Sequence, residues 1–123
     1  MVRVVFKHPE TSAKIAAAMK KYIWATGGEA KHTECLELCA RMFGYRNSKE
    51  LRSFCSDDCS PRDAEASEVE IQDRARQYVA EIQKMGFTRE EAWDLITGFL
   101  CGGWMGFGRF MDAMPEEIDA KAV

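Results

Sequence analysis

Long apolar runs are missing from this sequence. Its longest uncharged stretch, the 14 residues Leu95 to Gly108 between Asp94 and Arg109, would make about 21 Å of helix at 1.5 Å per residue, too short for a bilayer. The N-terminus MVRVVFKHPE has neither the apolar core nor the small-residue cleavage site of a signal peptide, so the expected location is cytoplasmic. Histidine is scarce. His8 precedes a proline and reads as solvated, and His32 sits where it would satisfy a helix terminus. No two carboxylates stand together in an apolar setting. The run Gly102-Gly103-Trp104-Met105-Gly106-Phe107-Gly108 lacks the preceding strand and the Lys-Ser/Thr ending of a phosphate cradle. These absences point away from an enzyme. The expectation is no catalytic residue, no cofactor, no metal and no small-molecule substrate.

What is present is enough for one domain over residues 1–123, with 46% hydrophobic residues to build a core. The net charge of −3 favours neither nucleic acid nor membrane, but its distribution is uneven. Residues 1–62 carry 11 Lys/Arg against 7 Asp/Glu, and residues 63–123 carry 6 against 13. That asymmetry fits a basic binding face, and equally two solvated surfaces of different composition.

Read in order, Val2 to Lys7 is β-branched and extended, with Arg3, Val5 and Lys7 on one side. A lone strand needs a partner, most simply its mate in a homodimer. Glu10 to Thr26 has helical spacing, with Ile15, Met19, Tyr22 and Ile23 on one face and Gly27-Gly28 closing it. Trp24 points away from that face among lysines, to be covered by another part of the fold or to stack on a partner. His32 to Phe54 reads as two helices around Gly44: Cys35, Leu36, Leu38, Cys39, Met42 and Phe43 face inward, Glu37 and Arg41 pair outward, and Asn47 with Glu50 caps the second helix. Residues 56–62, with Pro61, read as a linker. Ser67 with Glu70 opens a helix carrying Ile71, Ala75, Tyr78, Ile82 and Met85 inward. Thr88 with Glu91 opens another with Ala92, Leu95, Ile96 and Phe99. The tail repeats glycine at 98, 102 and 106 and reads as a broken helix with Trp104, Phe107 and Phe110 packing on the domain or on a partner.

The fold class expected is mainly α: a small helical domain of five to six helices with one short N-terminal β-strand. Residues 1–55 would hold the strand and three helices. Residues 63–123 would form an acidic helical hairpin with a glycine- and aromatic-rich tail.

Four resemblances add to this reading. The run HTECLELCARMFGYRNSKEL, within His32 to Phe54, resembles the short helical domain of bacterial proteins labelled glyoxalase-related. The matching residues are His32, Leu36, Glu37, Ala40, Arg41, Gly44, Tyr45, Arg46 and Leu51, with weaker similarity over residues 13–78. It implies a helical fold and a mobile-element or accessory context, and no glyoxalase activity, since that chemistry needs metal-binding His and Glu on repeated βαβββ units. Residues 1–43 are similar to a ribbon-helix-helix DNA-binding module. That resemblance implies a dimer with Arg3, Val5 and Lys7 toward the bases, and Lys31, His32 and Thr33 against phosphate. Met85-Gly86-Phe87 with Glu91 and Ala92 is similar to the ubiquitin-associated three-helix domain.

Cys35-x3-Cys39 and Cys55-x3-Cys59 resemble the twin Cys-x3-Cys motifs of small mitochondrial chaperones, which implies stapling disulfides. Zinc is a second alternative, though paired cysteines for structural zinc usually stand closer. The position of Cys35 and Cys39 on an apolar helix face, and a fifth cysteine, Cys101, favour reduced structural thiols.

The resulting expectation is a non-enzymatic binding protein that acts by protein–protein contact and self-associates. Trp24, Trp104, Phe107 and Phe110 are its partner-binding candidates. The alternative is a dimeric DNA-binding regulator using Arg3, Val5, Lys7, Lys31, His32 and Thr33.

Overall fold

The computed structural model describes residues 3–62 and 65–98. Within them lie five helices: α1 (Pro9–Ala25), α2 (His32–Met42), α3 (Ser48–Ser53), α4 (Glu68–Gln83) and α5 (Arg89–Gly98). Helix α2 is central, touching α1, α3 and α4, while α5 packs on α4 and α1. One hydrophobic core runs through all of them, from Val4 and Phe6 through Ile15, Met19, Leu38 and Phe43 to Tyr78, Ile82 and Ile96.

The ends of the helices follow the local chemistry of the chain. Asn47 accepts a hydrogen bond from the Glu50 amide at 2.8 Å, and Ser67 accepts from Glu70 at 3.2 Å. Thr88 and Glu91 make both halves of a capping box, at 3.1 and 2.9 Å. At the other end of α2, Gly44 takes φ +93°, a conformation that costs an L side chain energy and glycine none. Tyr45 can then donate its amide back to Ala40 at 2.9 Å, closing the helix with a six-to-one bond.

The N-terminal segment is a correction to the expected strand. Among the described residues there is no β-strand. Residues 3–6 have no regular secondary structure, and their hydrogen bonds go to a helix end and a loop of the same chain. Val4 donates to the Phe43 carbonyl at 2.9 Å, and Ser60 donates to the Val5 carbonyl at 2.9 Å. The Val5 amide goes to Ser60 Oγ at 2.9 Å, and Ser56 donates to the Phe6 carbonyl at 3.0 Å. A helix end and a loop meet the segment where a second strand would be needed for a ladder. The alternation read from the sequence is still right about faces: Val4 and Phe6 are buried, and Arg3 and Lys7 are exposed.

Residues 56–62 therefore hold the N-terminal segment down as well as connecting α3 to the second half. Pro61 also accepts a hydrogen bond from Arg74 Nη1 at 2.8 Å. That contact explains how an arginine comes to be only 2% exposed inside α4.

Two further differences concern α2 and α4. Glu37 and Arg41 do not pair with each other. Glu37 caps α3, accepting from Ser48 N and Oγ at 3.3 and 2.8 Å, where the helix's free amides favour an anion. Arg41 turns to α4, with Nε 3.9 Å from Glu81 and Nη2 3.5 Å from the Met85 sulfur. Met85 itself lies past the end of α4 and is 40% exposed, whereas the heptad spacing put it in the core. Phe99, expected inward, lies outside the described residues.

Candidate functional site

Three of the hollows among the described residues surround the N-terminal end of α2. The region they occupy is built from the last turn of α1, the 26–31 connection, the first turns of α2 and the α4–α5 turn. One of 140 Å³ lies between α1 and α5, lined by Tyr22, Ile23 and Phe87 with Glu91, Asp94 and Leu95. A second of 140 Å³, also bordered by Phe87, lies over Cys35, Leu38 and Met85. A shallower one of 370 Å³ runs past Trp24 with Lys20, Lys31, Glu29 and Glu34. The first and second share Ile23 and Phe87, and the second and third share Glu29, Ala30 and Glu34. Together they form one valley from Leu95 to Trp24.

Local structure explains the valley's shape. Gly86 at φ +101° ends α4 and reverses the chain, so Met85 and Phe87 project from a tight corner rather than from a helix side. Gly28 approaches α1 so closely that a Cβ there would lie 2.9 Å from Ile23 Cγ2. That contact holds the connection against α1 and leaves Trp24 beyond it. Trp24 is 59% exposed.

The valley mixes apolar side chains with carboxylates and, at its Trp24 end, two lysines. Its one sulfur nucleophile, Cys35, is 2% exposed. Burial pushes its thiol pKa up, Glu34 adds to the rise and Lys20 opposes it, so the reactive thiolate is disfavoured. Cys35, Cys39, Cys55 and Cys59 are free thiols, the last exposed. Burial also raises the Cys55 thiol, with Glu10 adding to it. Among the described residues no group of three or more His, Cys, Asp and Glu side chains could hold a metal ion. No helix among them is long and apolar enough to cross a membrane.

The candidate residues fall in separate places. Trp24 forms one lip of the valley, and Trp104, Phe107 and Phe110 lie outside the described residues. The six DNA-binding candidates divide between the two ends of α2. Lys31, His32 and Thr33 are exposed at its start. Arg3, Val5 and Lys7 belong to the segment anchored on Phe43 at its end, and 11 residues of helix amount to about 16 Å. Arg3 is engaged: its guanidinium lies 4.6 Å from the Phe54 ring centre and 5.3 Å from that of Tyr45, and pairs with Glu50 at 3.2 Å. Val5 is half-buried, and Lys7 faces an open cleft of 600 Å³ with Thr11, Cys59 and Arg62.

Sequence reasoning missed Met85, Phe87 and the carboxylates around them as site residues. A signal was there, since Met85-Gly86-Phe87 sets two large apolar side chains on either side of a helix-closing glycine. Comparison with family models, curated proteins and solved structures gives no match to this chain.

Proposed function

We propose that this chain is a small non-enzymatic binding protein that engages another protein through the valley at the start of α2. One observation carries the reading. Trp24, 59% exposed, lines a shallow hollow with Glu29, Ala30 and Glu34, and these three also border the adjoining hollow over Ile23, Leu38, Met85 and Phe87. Tryptophan is the residue most enriched among those that dominate interface energies, and contiguous exposed apolar surface usually marks an interaction site. The acidic and basic side chains around it supply the polar rim such interfaces have.

Support for DNA binding is weaker. The cations it would use stand at opposite ends of α2, and Arg3 is already committed to Glu50. Self-association through the N-terminal segment would compete with hydrogen bonds that Val4, Val5 and Phe6 make within one chain.

A photo-reactive amino acid placed singly at positions 24, 85 and 49 tests the proposal in cells. The expected result is one discrete adduct from positions 24 and 85 and none from 49, which lies exposed on α3. Adducts of the same pattern from all three, or from none, would sink it. An adduct at twice the mass of the chain would identify a second copy as the partner.

A further inference from the structure

We infer that the occupant of the valley is an amphipathic helix with basic residues along its flanks. The inference rests on the protein-binding reading and adds the partner's chemistry.

Charge is the first argument. The two hollows that share Phe87 are lined by Glu91 and Asp94 in one and by Glu29 and Glu34 in the other, and by no cation among the described residues. Lys20 and Lys31 join only at the shallow Trp24 end. Arg41, which reaches the Met85 sulfur, faces Glu81 at 3.9 Å. An apolar floor between four carboxylates discriminates by sign: a partner with acidic flanks would meet like charges, and one with Lys or Arg there would meet opposite ones.

Shape is the second. Each hollow, at 140 Å³, is close to the roughly 150 Å³ cavity that accepts a benzene ring, so each can take one large apolar side chain. Both hollows are lined by Ile23 and Phe87, so they adjoin, and two side chains on one face of a helix, at i with i+3, i+4 or i+7, are the kind of paired anchor such neighbours would take. The exposed Met85 gives the floor an adaptable, polarisable contact.

Backbone is the third. The described elements around the valley are all helices, so there is no sheet edge to pair with an extended peptide. A helical partner brings its own backbone hydrogen bonds and needs only side-chain contacts.

The test uses the full chain and two labelled peptides of about 14 residues, long enough to become helical on binding. Both carry leucine at helical spacing. One has lysine at the remaining positions and the other glutamate. Anisotropy should show the lysine peptide binding at least about tenfold tighter, with the difference shrinking as salt rises. Glu29→Lys with Asp94→Lys, checked for unchanged helicity, should weaken the lysine peptide by about tenfold and strengthen the glutamate one. Ala30→Trp, which fills the second hollow, should weaken both. Equal binding of the two peptides, both weakened by Ala30→Trp, overturns the basic partner while leaving the binding face standing. Binding of neither also overturns it. A photo-crosslink from position 85 to residues 99–123 would then assign the valley to the chain's own tail. Failure of the binding reading itself would be seen separately, as the absence of any adduct from position 24.

Discussion

At the C-terminal end of α2, Phe43 is wholly buried, with the Phe6 ring 4.7 Å away at 86° and the Tyr78 ring 5.3 Å away at 79°. At the N-terminal end, Trp24 is 59% exposed beside a valley. Both are aromatic-rich helix corners closed by glycine. They differ in what covers them. Residues 3–6 lie over the first corner, held by the Phe43 carbonyl, the 56–60 loop and the Tyr45 hydroxyl, which donates to the Val4 carbonyl at 3.0 Å. Nothing comparable lies over the second among the described residues. Glycine closure fixes where each helix ends. Whether the aromatic beside it becomes core or surface depends on a strap of chain from elsewhere. This contrast can be tested by substitutions at each end, which should lose stability at the covered end and binding at the open one.

Phe43→Ala has the largest expected effect. It removes a fully buried ring and leaves a cavity between Phe6 and Tyr78, a loss of about 3–5 kcal/mol. A domain of this size holds only about 5–15 kcal/mol in all, so the urea midpoint should fall by about a fifth or more, and to near zero denaturant if the parent stands at the low end of that range. A loss below about 1 kcal/mol would mean that the strap can collapse into the gap, and that the corner is less tightly filled than its ring geometry implies.

Tyr45→Phe is the sharper probe of the strap. The ring stays, and only the bond to the Val4 carbonyl is lost. Because that carbonyl remains buried without its partner, the cost should be about 1–3 kcal/mol. Amide exchange at Val4 and Val5 should rise more than at Ile82. Uniform acceleration across the chain would mean that the strap and the helices open as one unit.

Caps are local and should not distinguish the two ends. Asn47→Ala at the covered end and Thr88→Ala at the open end each lose one bond to a helix amide, at 2.8 and 3.1 Å. Each should cost about 1 kcal/mol in chemical denaturation. A much larger loss for Thr88 would show that the valley corner, with Phe87 beside it, supports more of the core than its exposure suggests.

Stability should also fall at both extremes of pH, for reasons rooted mainly at different ends. Side-chain and backbone hydrogen bonds with Arg46, and the charges of Arg46 and Arg3, hold the Glu50 carboxyl below its ordinary 4.5. A depressed carboxylate stabilises the fold above that value, and the contribution is lost as pH falls through the lower folded pKa. At the valley, burial raises the Cys35 thiol above its ordinary 9.0. A raised group contributes stability fully below 9.0, lost as pH rises through the folded value. Burial likewise raises Cys55 and Tyr45. Melting temperature followed against pH should show Glu50→Gln flattening the acid limb alone and Cys35→Ala reducing the alkaline one.

Local chemistry made the helices legible. The caps at Asn47, Ser67 and Thr88 and the closures at Gly27, Gly44 and Gly86 need only residues a few positions apart, so the chain carries them openly. The inward faces of α1 and α2 followed from periodicity. What could not be read was the choice among partners distant in sequence. Glu37 and Arg41 stand at pairing distance on one helix, yet Ser48 offers Glu37 a helix N-terminus and Glu81 offers Arg41 a buried carboxylate. Residues 3–6 have the composition of a strand, but helix and loop backbone satisfy them. The valley was hidden for the same reason: its walls come from α1, the 26–31 connection, α2, the α4–α5 turn and α5, and no single stretch displays it. Trp24, on a lysine-bearing face, and Met85 and Phe87, on either side of a helix-closing glycine, were the local hints of it.

Trp24→Ala should have the smallest effect on stability and is the strictest test of the contrast. With more than half its surface already in water, its removal forms no cavity, and the change should stay within about 0.5 kcal/mol. Adduct formation from position 85 should nevertheless fall sharply, because a partner seated in the valley would lose its aromatic lip. The two numbers must be read together. A large loss of stability would mean that Trp24 supports the 26–31 connection, and that both ends of α2 are structural. A small loss with crosslinking intact would leave the valley as the contact but place its anchor at Met85 and Phe87. Only a stable variant with weakened crosslinking fits a molecule whose aromatics are core at one end of a helix and contact surface at the other.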